Sequence, residues 1–404
     1  MPHHRLRYLK CLLKASLAAT PILGVMGQRQ TGKSTLVEEI GQEYVTLDDE
    51  ETLEIALKSA KSFVYGRKRP FVIDECQQSP PLFPALKEQV RTQKAMGQFI
   101  LTGSVRFTSI EEIKESLTGR MIEFELLPFC LTELHQMPLT NPKQIFEVKN
   151  LVPLLLARVK NQKFSPEVLK EFLLKGGLPG ICFLRAEVHR TRKIRSQIKT
   201  ILDRDLRVVT RTTLDYLTLK VFLEEIALQQ GEVFDLSKAA RGARIALNSA
   251  RRLLSGLESV YLIRSLHKEG PSQGKLVYLE DQGMATFLLR ERGFETSQLR
   301  ATDLNRLLFQ QLNAQVKYNP KFQGRLTRFQ LRSGVLIDFV VSIGNVGQIG
   351  YSVGIGTQAS PHQIRSAQAL LKKYPKARVL LLHLGSSVRE LSAQMIEAPL
   401  GAVV

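Results

Sequence analysis

At 404 residues the chain is too long for one ordinary core and predicts roughly two to four domains, with a hydrophobic fraction of 44% that is ample for burial. Lys plus Arg outnumber Asp plus Glu by 57 to 38, a net charge of +19, which favours polyanionic partners such as nucleotides, nucleic acid or an acidic membrane surface; a solvated basic surface is the plain alternative. The four cysteines, Cys11, Cys76, Cys130 and Cys182, form no CxxC pair, which argues against a zinc knuckle or a disulfide framework and for reduced thiols in a cytoplasm.

The opening stretch, "MPHHRLRYLKCLLKASLAAT", superficially resembles a signal peptide, but Lys14 interrupts its apolar run. Residues 5–18 are predicted instead to form an amphipathic helix with Leu6, Leu9, Leu13 and Leu17 on one face. No apolar run approaches the roughly 20 residues that span a bilayer, so a soluble, cytoplasmic protein is expected.

"PILGVM", 21–26, is a short apolar run that predicts a buried strand. It leads into Gly27-Gln28-Arg29-Gln30-Thr31-Gly32-Lys33-Ser34-Thr35 and then "LVEEIGQEY", which has helical spacing. Strand, glycine loop and helix are the context of a P-loop. Its glycines let consecutive N–H groups turn onto phosphates, and the helix N-terminus adds partial positive charge. Lys33 is the candidate for the β- and γ-phosphates, and the Ser34 hydroxyl for Mg²⁺. A merely tight turn would leave the lysine and hydroxyl unexplained.

"PFVIDECQQSP" gives a second apolar strand, which ends in Asp74-Glu75. An acidic pair there suits a Walker B arrangement, with Asp74 holding Mg²⁺ through water and Glu75 polarising the attacking water. A third strand, "GQFILTGSVRF", ends in Thr102-Gly103-Ser104, small hydroxyls placed to position that water or sense the γ-phosphate. In "SLTGR", Arg120 is a candidate charge-stabilising arginine, acting within the subunit or on a neighbour, with a surface arginine as the plain alternative.

The ordered series "GQRQTGKSTL", "YVTLDD", "VIDECQQSPPLFPALK", "FILTGSVR" and "SLTGR" resembles the two-part prokaryotic AAA+ ATPases whose C-terminal domain of unknown function has a restriction-endonuclease-like fold. "LPFCLTEL", "GGLPG" and "LDRDL" extend the resemblance over nearly the whole chain. The resemblance implies nucleotide and magnesium roles for Lys33, Ser34, Asp74, Glu75 and Thr102.

After a polar stretch near 140–150 a helical region through about 215 is expected to act as the lid over the nucleotide. Its basic segment 185–212 includes Arg204, a candidate sensor of the phosphates, although a solvated helical face accounts for most of its arginines. Residues 233–266 predict helices at 236–240 and 247–257 joined near Gly242, with two following strands, hence a winged helix-turn-helix. Arg244, Arg251 and Arg252 are its candidate DNA contacts, with internal packing as the alternative use of such a module.

From about 296 the pattern is helix, three strands, helix, the strand "ARVLLLHLG" and a final helix, an order that resembles the PD-(D/E)xK nuclease fold. Asp338 stands at the first acidic position, but Gly350 and Ser352 occupy the acid and lysine positions of the next strand. Leu336 and Asn305 stand where the family usually shows glutamates. One carboxylate is too few for a stable Mg²⁺ site, so this domain is expected to bind or pack rather than cut.

The expected fold is therefore α/β. An N-terminal helix (1–20) precedes a P-loop AAA+ core with a parallel sheet (21–145), a helical lid (146–215), a winged helix (216–290) and a degenerate nuclease-like domain (296–404). The expected function is Mg²⁺-dependent ATP hydrolysis driving a switch that couples to DNA or a protein partner, with a homo-oligomer as one form of assembly. An ATP-controlled nuclease and a non-turnover nucleotide-sensing DNA-binding module are the alternatives.

Overall fold

Three short apolar runs, 22–26, 71–74 and 99–103, become fully buried strands of a parallel sheet. The computed structural model describes residues 4–107, 117–161, 164–269, 274–295, 298–319 and 324–404. They form two compact units, one of residues 1–129, 178–219 and 248–263, the other of 130–177, 220–247 and 264–404. The stretch expected to be one lid is thus shared: 146–177 belong to the second unit and 178–215 to the first.

The first unit is built on a five-stranded sheet in the order β2-β3-β4-β1-β5, from β1 (Ile22–Met26), β2 (Glu43–Thr46), β3 (Phe71–Asp74), β4 (Phe99–Gly103) and β5 (Met121–Glu125). Every pairing is parallel, with Ile22 level with Phe99 on one side and Met121 on the other. β1, β3 and β4 are buried along their whole length, which is why they read as continuous apolar runs rather than alternating ones. Phe71, Phe83, Phe99 and Phe107 lie at the centre of the core. Because β4 lies between β1 and β3, Thr102 stands between the glycine loop and the Asp74-Glu75 pair.

The N-terminal helix is shorter than its periodicity predicts. It spans Leu9–Ser16 and buries Leu9 and Leu13, whereas Leu6 is 62% exposed. The Arg7 guanidinium holds the preceding residues out of the helix: it donates to Thr31 O at 2.6 Å and Leu127 O at 2.5 Å, and lies 4.3 Å from the Phe129 ring centroid.

In the second unit an eight-stranded sheet runs β12-β13-β11-β10-β9-β8-β6-β7. β8 (Gly324–Gln330), β9 (Leu336–Ile343) and β10 (Gly347–Val353) form an antiparallel meander. β11 (Arg378–His383) then joins β10 in parallel. Alternate residues feed two cores, Phe339, Val341, Ile349, Tyr351, Leu380 and Leu382 one, Val340, Val379 and Leu381 the other, while Ile337 breaks the alternation and joins the second. Helix Ala301–Tyr318 packs into the first and helix Pro361–Lys373 into the second.

Two sequence expectations change in this unit. The strands expected to form a wing, β6 (Ile263–Glu269) and β7 (Lys275–Leu279), are edge members of the large sheet, where Lys268 and Glu269 of β6 pair with Arg328 and Phe329 of β8. In place of the final helix the chain forms β12 (Arg389–Ser392) and β13 (Met395–Pro399), with β13 fully buried beside β11. The backbone bonds of that pairing and the burial of Met395, Ile396 and Ala398 outweigh the helical propensity of "AQMIEA". Among the described residues no helix is long and apolar enough to cross a membrane.

Candidate functional site

β1 ends at Met26, and the chain turns at Gly27 so closely past its neighbour that a methyl group there would sit 2.3 Å from Leu126 O. Gly32 has φ +90°, a conformation that favours glycine, and opens helix Lys33–Glu38. Lys33 is 4% exposed, and its ammonium donates to Gly27 O at 3.0 Å and Gln28 O at 3.1 Å. Burial depresses its pKa below the ordinary lysine value, opposed by the nearby Glu75 and Asp74 carboxylates. The loop thus curls around a buried ammonium, the arrangement a phosphate cradle requires.

Facing it, Asp74 ends β3 as the hub of a hydrogen-bond network. Its Oδ2 accepts from Ser34 Oγ at 2.6 Å and from Tyr44 OH at 2.7 Å, and its Oδ1 accepts from Thr102 Oγ1. Burial first, and then the bond to Asp74, raise the Tyr44 pKa, so that the phenol remains a neutral donor. Glu75 has φ 53° and ψ 41°, a left-handed backbone that a glutamate adopts only under constraint. Its Oε2 accepts from Gln77 Nε2 at 2.6 Å and Ser104 Oγ at 3.2 Å, and its N–H meets Thr102 Oγ1 at 3.3 Å. Lys33, Ser34, Asp74, Glu75 and Thr102 are therefore brought to one edge of the sheet.

Two further groups reach the loop from far along the chain. Arg29 Nε pairs with Asp205 Oδ2 at 3.2 Å, and Gln197 Nε2 donates to Arg29 O at 2.7 Å. Asp205 lies in a π-helical turn, Ile201–Asp205, between helices Glu187–Thr200 and Leu206–Thr210. Burial lifts its carboxyl above the usual range, opposed by Arg29. A cleft of about 450 Å³ adjoins Gly32 and Thr35, walled by Arg5, Arg7, Phe129, Pro179 and Phe183.

The other expected residues lie elsewhere. Arg120 precedes Met121, which is level with Ile22, so it stands at the end of the sheet opposite the glycine loop; its Nη1 approaches Thr118 O at 3.4 Å. Its backbone is about four residues of strand, or roughly 13 Å, from the end of β1 that leads into the loop. Arg204 pairs with Asp48 at 2.9 Å rather than with the loop. Arg244 is exposed in the turn after helix Leu236–Gly242, whereas Arg251 and Arg252 are exposed on helix Leu247–Ser259. Sequence reasoning missed Tyr44, the Arg29–Asp205 pair and the aromatic cleft; "YVTLDD" and "LDRDL" were visible as motifs but carried no hint of these contacts.

Among the described residues Asp338 takes part in no cluster of carboxylates. It accepts from Asn305 Nδ2 at 2.9 Å, Val353 N at 2.9 Å and Ser352 Oγ at 3.2 Å. A side chain at Gly350 would meet Leu370 Cδ2 at 2.6 Å. Among the described residues no three His, Cys, Asp or Glu are grouped to hold a metal ion. A Mg²⁺ shared with phosphates needs only one or two protein oxygens, and Ser34 and Asp74 offer two.

The parallel sheet, the glycine loop after its first strand and the helix that follows have the arrangement of a P-loop domain. Residues 19–135, which include Lys33, Ser34, Asp74, Glu75, Thr102 and Arg120, match the family model of an AAA domain, and 166–292 match a domain of unknown function (DUF8612). The C-terminal stretch 296–404 lies outside both matches. Uncharacterized proteins of Mycobacterium tuberculosis and Mycobacterium bovis are each 23% identical over 399 residues, 96% of this chain and 82% of theirs. A DNA polymerase III gamma subunit-related protein of Thermotoga maritima aligns with 62% of this chain and 98% of its own at 13% identity, but its TM-score of 0.25 adds nothing to the fold.

Proposed function

We propose that the protein is a Mg²⁺-dependent ATPase whose nucleotide cycle drives a switch coupled to DNA or a protein partner. The observation that carries this reading is the 2.6 Å bond from Ser34 Oγ to Asp74 Oδ2 beside the buried Lys33, because it brings two magnesium-ligand candidates together within reach of a phosphate cradle. Lys33 binds the β- and γ-phosphates, and the cleft beside Gly32 takes the base. A Mg²⁺ held by Ser34 and Asp74 would supply charge neutralisation on the phosphates. Glu75, held by Gln77 and Ser104, orients water for attack, and Thr102 holds the Asp74 carboxylate in place. Arg120, whose backbone lies at the far end of its own sheet, serves as a finger on a neighbouring subunit if the protein assembles as a homo-oligomer.

The C-terminal nuclease-like fold is inactive in this reading, since three donors occupy Asp338 and Leu370 fills the space beside Gly350. Arg244, Arg251 and Arg252, all exposed, contribute phosphate-level DNA contact. Phosphate release by wild type and Glu75→Gln tests the central claim. Turnover is expected to fall about 10²-fold or more while calorimetric ATP affinity changes little; equal turnover in the two would leave a nucleotide sensor without hydrolysis.

A further inference from the structure

Helix Glu187–Thr200 has two faces with different chemistry. At 100° per residue, Ile194, Gln197 and Ile198 share its buried side, which continues through Ile201 into the π-helical turn. On the opposite side Arg192, Arg195 and Lys199 follow at spacings of three and four residues, all exposed. Lys193 and Arg185 flank them, also exposed, and Ser196 lies between. Glu187 is the only acid between residues 185 and 199. No aromatic ring interrupts this row, so it offers charge and hydroxyls without a stacking platform for bases. That chemistry fits the regular phosphate ladder of a duplex better than unstacked single strands.

The buried side of the same helix is tied to the glycine loop. Gln197 donates to the Arg29 carbonyl at 2.7 Å, and two turns later Asp205 pairs with the Arg29 guanidinium at 3.2 Å. Arg29 also lies within electrostatic reach of Glu75 and Asp48. π-helical turns are uncommon and recur at functional positions, where one extra residue resets the phase of a helix. A triphosphate in the loop would draw on the guanidinium that Asp205 now holds, and an Asp205 that lost this cation would be a buried carboxylate without compensation.

We infer that the outer face of helix Glu187–Thr200 docks the phosphate backbone of a nucleic-acid duplex, independent of sequence, and that the Arg29–Asp205 pair ties its affinity to the nucleotide state. The surface is distinct from Arg244, Arg251 and Arg252. The coupling rests on the ATP-binding reading above; the docking surface does not. Coupling between two binding sites is reciprocal, so the duplex shifts nucleotide affinity by the same factor as the nucleotide shifts duplex affinity.

The test uses the full chain and a fluorescently labelled 30-base-pair duplex of mixed sequence, with anisotropy read at several salt concentrations, without nucleotide and with Mg·ATPγS. For Arg192→Ala/Arg195→Ala/Lys199→Ala the expected result is a loss of duplex affinity of tenfold or more. The slope of log affinity against log salt should become shallower by about 2.7, three phosphate contacts at about 0.9 each. Calorimetric Mg·ATPγS affinity of this variant should match wild type. In wild type, Mg·ATPγS should change duplex affinity at least threefold; in Asp205→Asn the change should fall below that.

The docking surface is overturned if the triple variant binds duplex as wild type does, or if wild type binds phosphatidylserine vesicles and no duplex. The coupling is overturned if wild-type duplex affinity moves less than threefold with Mg·ATPγS, or if Asp205→Asn responds as wild type does. Absence of calorimetric heat with wild type would instead sink the ATP-binding reading, while leaving the duplex arm to stand or fall by the triple variant.

Discussion

Ser34 Oγ and Tyr44 OH donate to the same carboxylate oxygen, Oδ2 of Asp74, at 2.6 Å and 2.7 Å. The hydroxyl that opens the P-loop helix and the phenol from β2 thereby fix the orientation of the acid at the end of β3. Ser34 and Asp74 are the residues that would together hold a Mg²⁺ arriving with ATP. Asp74→Asn should therefore abolish the difference between ATP affinity with Mg²⁺ and with EDTA, and lower turnover about 10²-fold or more. Calorimetry in both media reads this. An undiminished Mg²⁺ dependence would remove Asp74 from the metal site.

Tyr44 gives a second, milder outcome. Tyr44→Phe leaves Ser34 and Thr102 on Asp74 and removes one hydrogen bond to a charged group, about 1.5–3 kcal/mol when such a bond is lost. The Mg²⁺ concentration giving half-maximal turnover should rise roughly tenfold, with maximal turnover nearly kept. Because burial and Asp74 hold the phenol protonated, this shift should be constant from pH 6 to 9. A shift that vanishes toward pH 9 would mean that the phenol ionises there.

Gly27 tests the cradle by shape alone. A methyl group at this position would lie 2.3 Å from the Leu126 carbonyl oxygen, a backbone atom that cannot swing aside. Gly27→Ala should lower the melting temperature and weaken ATP binding together, because the loop and β5 must part to admit the side chain. Wild-type affinity and melting would show that the loop reshapes freely.

How far the sequence foretold the site depends on chain separation. Lys33 and Ser34 come from one strand–loop–helix unit, and Asp74-Glu75 from the end of one apolar run, so local pattern was enough to single them out. Asp205 reaches Arg29 from 176 residues away, and Arg7 reaches Leu127 across 120. No periodicity in a single chain encodes such pairings; only the folded sheet and the returning helix create them. β13 failed for another reason: "MIEAP" has no strand alternation because it is buried on every residue, and its helical neighbours misled. For Arg120 the motif gives only order along the chain, whereas strand direction decides which end of the sheet its backbone occupies.

The last prediction concerns stability in the second unit, where Asp303 joins two arginines. Its Oδ2 accepts from Arg300 Nε and N, both at 3.0 Å, and its Oδ1 accepts from Arg306 Nη2 at 2.7 Å. Arg306 is 2% exposed, so its charge depends on this carboxylate. Burial by itself would raise the Asp303 pKa, but the bond from Arg300 and the charge of Arg306 outweigh it and hold the group below the ordinary aspartate value. A carboxyl with a depressed folded-state pKa adds stability above its unfolded value, about 3.9, and loses that contribution as pH falls through the folded value. Wild type should therefore lose stability in urea as pH drops below about 5. Asp303→Asn should be less stable at pH 7 by about 3–5 kcal/mol, the cost of leaving a buried partner charge unpaired. Its stability should also fall less steeply on acidification, because one paired carboxylate no longer has to be protonated. Parallel acid limbs in the two proteins would show that Asp303 does not titrate as the structure implies.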